Sequence, residues 1–129
     1  MEQKKKVLCF GNPYIEEDKL ALIIGSELRV VGYEFILCKG VEDMLLFEPP
    51  FIVMDVVKGI VKVTKFTDVS KLENRMSCSL HDFDLGYNLR LMKKFGMVEK
   101  VSIIGVPPEI EEEKAMEGIK KIIQNIDSL

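Results

Sequence analysis

Val7-Leu8-Cys9-Phe10-Gly11-Asn12-Pro13 places four consecutive apolar residues directly ahead of a turn signal. A short unbroken apolar run stopped by Gly, Asn and Pro predicts a strand buried on both faces. Beyond the turn, Glu16, Glu17 and Asp18 precede Leu20, Ile23, Ile24, Leu28 and Val31, spaced by three and four. That spacing predicts an amphipathic helix with acidic residues at its positive end, stopped by Gly32. Phe35-Ile36-Leu37-Cys38 reads as a second strand. Residues 41–47 read as a short helix closed by Glu48-Pro49-Pro50, and Phe51-Ile52-Val53-Met54-Asp55 as a third strand.

Farther along, apolar and polar residues partly alternate from Gly59 to Phe66, as in a half-exposed edge strand, and the stretch to Ser79 has no clear period and reads as a loop. Leu85, Leu89 and Met92 predict a helix over 83–95 ended by Gly96, and Val101 to Val106 a buried strand stopped by Pro107-Pro108. The last element is a helix opening with Glu109 to Glu113 and burying Met116, Ile119, Ile122, Ile123 and Ile126. Strands separated by helical segments indicate βαβ units. The expected fold is therefore α/β: a three-layer α/β/α sandwich over residues 1–129 as one domain. Its twisted sheet is mostly parallel, with the 59–66 strand at an edge and open to antiparallel pairing.

The chain has 129 residues, 47% hydrophobic and 30% charged, a balance far from that of a disordered chain. Eighteen basic and 21 acidic residues leave a net charge of −3, without the basic surface that nucleic acid binding requires. Lys4-Lys5-Lys6 is followed by only four apolar residues before the turn, too few for a signal sequence or a membrane span. Cys9, Cys38 and Cys78 are odd in number, widely spaced and form no C-x-x-C pair, so a disulfide framework and a zinc knuckle are not expected and a reducing cytoplasm is. Cys9 and Cys38 read as small buried hydrophobes, and Cys78, three residues from His81, as a loop residue. Gly11, Gly25 and Gly32 do not make the G-x-G-x-x-G needed for a dinucleotide.

In parallel sheets the working crevice lies beyond the carboxyl ends of the strands. Asp18 in the loop after the first strand, Asp55 at the end of the third, and His81 ahead of the 83–95 helix all belong to that rim. Two carboxylates and an imidazole suit a borderline divalent ion such as nickel or zinc, with a position left open. Each residue also has a plainer role open to it: Asp18 as a helix-dipole charge, Asp55 as an acceptor for backbone amides, His81 as a helix-start residue.

Three local sequences add a family resemblance. Gly11-Asn12-Pro13-Tyr14-Ile15-Glu16-Glu17-Asp18 resembles the G-N-x-x-x-x-D-[DE] opening of the hydrogenase maturation proteases, which trim the large subunit of nickel-iron hydrogenases. Phe51-Ile52-Val53-Met54-Asp55 resembles that family's apolar strand ending in aspartate, and Ser79-Leu80-His81 its S-x-H segment. Val101 to Glu109 resembles its closing strand and G-[IV]-x-P-E turn. The resemblance runs in the correct order over roughly residues 5 to 110. It implies an aspartic-type endopeptidase with its catalytic and metal-ligand roles on Asp18, Asp55 and His81. It further implies that these residues recognise nickel already inserted in the large-subunit precursor, zinc or another divalent ion being an in vitro substitute. A monomer acting on that precursor, with no nucleic acid or membrane partner, is expected. One departure stands out: where the family has a D-G-G-T segment after its second strand, this chain reads Cys38-Lys39-Gly40-Val41. A divergent homologue that binds metal or precursor without cutting is the alternative.

Overall fold

The computed structural model describes residues 4–39, 41–47, 50–67 and 102–127. Its described strands are β1 (Lys5–Cys9), β2 (Tyr33–Leu37), β3 (Ile52–Val56), β4 (Thr64–Phe66) and β5 (Ser102–Val106), and its helices α1 (Leu20–Glu27) and α2 (Glu112–Asp127). Two short 3-10 helices, Glu16–Asp18 and Val41–Leu46, follow β1 and β2. The sheet order is β2-β1-β3-β5-β4, parallel throughout except for β4, which lies antiparallel to β5 at one edge. This is the α/β, mostly parallel architecture that the apolar runs predict.

Strand alternation divides the interior into two cores, because successive side chains point to opposite faces. Val7, Cys9, Ile52, Met54, Val56, Ile104 and Val106 meet Ala21, Ile24 and Leu28 of the α1 region and Ala115, Ile119 and Ile123 of α2. Leu8, Phe10, Val53, Val57 and Ile103 form the other core with Cys38, Met44 and Phe51. The strand β3 is buried at all five positions, four of them apolar and the fifth Asp55, as expected of a strand covered on both sides. In α2 the residues buried completely are Ala115, Ile119 and Ile123, successive fours along one stripe, while Met116 and Ile122 pack at its margin.

The element ends depart from the sequence pattern for local reasons. The helix α1 stops at Glu27, and Val31, expected on its buried face, is 99% exposed. The chain must turn there to lay β2 beside β1. Val30 and Val31 are β-branched and favour extended backbone, and Gly32 takes the left-handed φ of +87° while accepting a bond from Lys5 N–H. The predicted 59–66 strand is reduced to Thr64–Phe66 because Gly59, at φ +86°, redirects the chain right after Val57 N–H has bonded Val106 O. The segment over 41–47 is 3-10 rather than α, and α2 begins at Glu112, after Glu109 to Glu111. The predicted helix over 83–95 lies outside the described residues. Among the described residues no helix is long and apolar enough to cross a membrane.

Two features of the interior have measurable consequences. At Gly25 an added Cβ would sit 2.7 Å from Cys9 Sγ and 3.0 Å from Leu37 Cδ2, so α1 rests on the sheet at a distance only glycine allows. Gly25→Ala gains about 1 kcal/mol of helix propensity, but overpacking a filled core costs about 1–3 kcal/mol. A net loss of stability is expected in urea denaturation. Cys9 and Cys38 are free, buried thiols in opposite cores. Burial, with Asp43 nearby, pushes Cys38 up to about 11, and burial raises Cys9 farther still. A folded-state thiol pKa above the unfolded value leaves stability untouched at neutral pH. It erodes stability once the unfolded thiols begin to ionise, since the unfolded chain then binds fewer protons. Stability should fall from about pH 9 upward, and the thiols should resist alkylation at pH 8 until the chain is unfolded, as read by mass spectrometry.

Candidate functional site

The loop joining β1 to α1 is a closed piece of backbone whose residue types follow from its bonds. Phe10 N–H donates to Met54 O at 2.8 Å, carrying the β1–β3 pairing one residue past the strand. At the next position an added Cβ would lie 2.4 Å from Asp18 O and within 3.3 Å of Leu22, so Gly11 is required by close approach and not by its φ. Asn12 works through both ends: its side-chain Oδ1 accepts from Tyr14 N–H at 2.9 Å, an Asx turn, and its carbonyl accepts from Ile15 N–H at 3.1 Å. Asp18 N–H then donates to Ile15 O at 3.0 Å, and Asn12 N–H reaches Asp18 O at 3.4 Å, closing the loop on itself. Outside it Lys19 and Glu16 pair at 2.6 Å across one turn.

This loop brings Asp18 back over the end of β1. Asp18 is 1% exposed although its neighbours Glu16 and Glu17 face solvent. Asp55 sits at the carboxyl end of β3, the strand paired directly with β1, and is completely buried. Its Oδ1 accepts from Val56 N–H at 2.9 Å. Asp55 follows Met54, and Gly11 follows Phe10, so the Phe10–Met54 bond ties the two carboxylate-bearing segments to one rim. Strand alternation puts Asp55 on the face of Val53 and Val57, away from α1 and α2. Removing two carboxylates from water is costly unless each is compensated, which makes such positions characteristic of working sites.

His81 lies outside the described residues, as does Cys78. Among the described residues no three His, Cys, Asp or Glu side chains converge as a metal set. A third carboxylate does lie near the rim, one that the sequence pattern does not single out. Asp43 Oδ2 accepts from Lys39 N–H at 2.7 Å just past β2, and Cys38 N–H in turn bonds Cys9 O at 2.9 Å. The acid absent from position 38 is therefore matched by one four residues beyond Lys39, reaching back to the same turn. Aspartate bonding a backbone N–H at the start of a short helix is a familiar pattern, but no apolar periodicity marks this one.

A shallow groove of about 640 Å³ lies apart from these carboxylates, between residues 61–63 and α2. Val61, Val63, Ile110 and Ile122 form part of its lining, with Lys114 and Lys121 beside them.

Comparisons with known proteins give the family and the fold. Residues 44–128 match the sequence model of the hydrogenase maturation protease family. No curated protein matches the chain in sequence. Among solved structures, the endopeptidase HycI from Escherichia coli superposes with a TM-score of 0.66 at 14% identity, covering 97% of this chain and 92% of that one. The E. coli hydrogenase maturating endopeptidase HybD superposes with a TM-score of 0.64 at 15% identity, covering 96% and 94%. A [NiFe] hydrogenase maturation protease HycI from Thermococcus kodakarensis gives 0.57 at 14% identity, covering 98% and 91%. At these identities the structural likeness is one of fold, and the assignment rests on the sequence match over residues 44–128. The chain belongs to the hydrogenase maturation protease family.

Proposed function

We propose that this chain is an endopeptidase that removes the C-terminal extension of a nickel-iron hydrogenase large-subunit precursor after nickel has been inserted. Asp18, Asp55 and His81 recognise the metal in that precursor. The observation that carries the reading is the burial of Asp18, in the loop that closes back over the end of β1, and of Asp55, near the carboxyl end of the adjacent strand β3. Two carboxylate oxygens and the neutral imidazole of His81 form a mixed hard and borderline donor set, suited to a divalent first-row ion that keeps some ligands of its own. The nickel is thus part of the substrate, and zinc or a similar ion would substitute for it in vitro.

Peptide hydrolysis adds water across the C–N bond, giving one new carboxylate and one new amine. A metal ion at the rim supplies Lewis acidity to the scissile carbonyl or to a water. The described thiols do not serve as nucleophiles, because burial raises both and keeps them as thiols at neutral pH. The role of Asp18 and Asp55 is to hold fixed negative charge where the metal-bearing segment arrives. The role of Gly11 is to let the Asp18 loop close. Free, buried Cys9 and Cys38 suit a reducing cytoplasm, where we place the protein as a monomer.

A second reading, a non-cleaving homologue that binds metal or precursor, is favoured by Cys38-Lys39 standing where the family carries an acidic motif. Incubation with nickel-loaded precursor, followed by mass spectrometry of the precursor's C-terminus, separates the two: a shortened C-terminus supports the protease, and binding without shortening supports the homologue. Asp55→Asn preserves shape and the acceptor for Val56 N–H while removing the charge. It is expected to slow cleavage on the order of 100-fold or more with little change in thermal stability. Cleavage at the wild-type rate would exclude Asp55 from the site.

A further inference from the structure

The loop that turns Asp18 inward turns Tyr14 outward. Tyr14 is 94% exposed and Ile15 37%, and Pro13, between Asn12 and Tyr14, is exposed as well. An exposed aromatic at a mobile tip would need no explanation, but this tip is fixed. Tyr14 N–H and Ile15 N–H are both held by Asn12, Ile15 O is held by Asp18 N–H, and Pro13 locks its own φ. The fold gains nothing from the ring, since it touches little of the protein, yet the backbone beneath it is ordered on both sides. A large, rigid, two-torsion side chain presented on an ordered loop is the type of group that anchors protein interfaces, because little entropy remains to be lost when it docks.

The charge farther along the same exposed loop narrows the partner. Glu17 faces solvent, and Glu16 is 85% exposed beside Lys19. An exposed aromatic ring on a loop that also carries the solvent-facing carboxylate of Glu17 fits an apolar patch carrying a positive charge, through cation–π and ion-pair contacts together.

We propose that Tyr14, with Glu17 three residues on in the same exposed loop, is the docking tip by which this chain engages a basic, apolar surface of the hydrogenase large-subunit precursor. The inference rests on the protease reading above and names the surface that brings the precursor to the Asp18 loop. Tyr14 acts in binding and takes no part in bond breaking.

The test measures cleavage of nickel-loaded precursor by the full chain and by Tyr14→Ala, Tyr14→Phe and Glu17→Gln, resolving kcat from KM over a range of salt. Tyr14→Ala is expected to raise KM about tenfold or more while kcat stays within about twofold. Tyr14→Phe should recover most of the loss, and Glu17→Gln should flatten the dependence of KM on salt. Melting temperatures should match wild type, since neither side chain is buried. An unchanged KM in Tyr14→Ala, with wild type cutting normally, overturns the inference alone. A marked fall in the melting temperature of Tyr14→Ala also overturns it, by assigning the ring a structural role. A wild-type chain that leaves the precursor uncut overturns the protease reading and this inference with it.

Discussion

The backbone bond from Phe10 N–H to Met54 O is the contact on which the candidate site depends. It lies where β1 has ended and β3 is about to end, and it joins two segments far apart in sequence. On one side the next residue is Gly11, over which Asp18 closes; on the other it is Asp55. A backbone bond is well suited to this task. It sets the spacing of the two segments without using a side chain.

The cost of this arrangement is carried by the two cores. A parallel sheet covered on both faces must bury nearly everything along its central strands, and β3 does so at every position, including the one occupied by Asp55. A carboxylate there is tolerated because the neighbouring positions are filled by Val53, Val57 and Ile103 on one face and by Met54, Val56 and Ile104 on the other. The apolar packing over-determines the strand, and one polar position is held in place by the rest.

Most of this is legible in sequence because its signals are local. Four apolar residues before Gly11-Asn12-Pro13 announce a buried strand, and Pro107-Pro108 end another. The spacing of Ile119 and Ile123 marks the face of α2, with Ala115, a residue too small to stand out, one turn earlier. Asp18 is legible as an acid in the loop after the first strand and Asp55 as one at a strand end, and the family resemblance of their flanking residues gives them an expected role. What escapes is set by tertiary geometry. The β-branched Val30 and Val31 only weaken the helix, and that it must stop by Glu27 for β2 to reach β1 is set by the sheet. The return of Asp43 to Lys39 N–H depends on a 3-10 turn that hydrophobic spacing does not encode. Tyr14 occupies only a variable position of the G-N-x-x-x-x-D motif. Its exposure follows from the Asx turn at Asn12, which takes shape only once the loop has closed.

The strand order carries a consequence for how the molecule comes into being. In the sequence β2-β1-β3-β5-β4, the strand between β3 and the β4 edge is supplied by residues 102–106, near the end of the chain. During synthesis the Asp18 loop and β3 emerge early. Yet β3 lacks one neighbour, and β4 lacks its only partner among the described strands, until Ser102–Val106 has been made. Pairings of such long range lose their loop-closure entropy before any contact offsets it, so they form late and together. The sheet around the rim is therefore completed late in folding, and a nascent chain carries Asp18 and Asp55 for some time before their surroundings are in place.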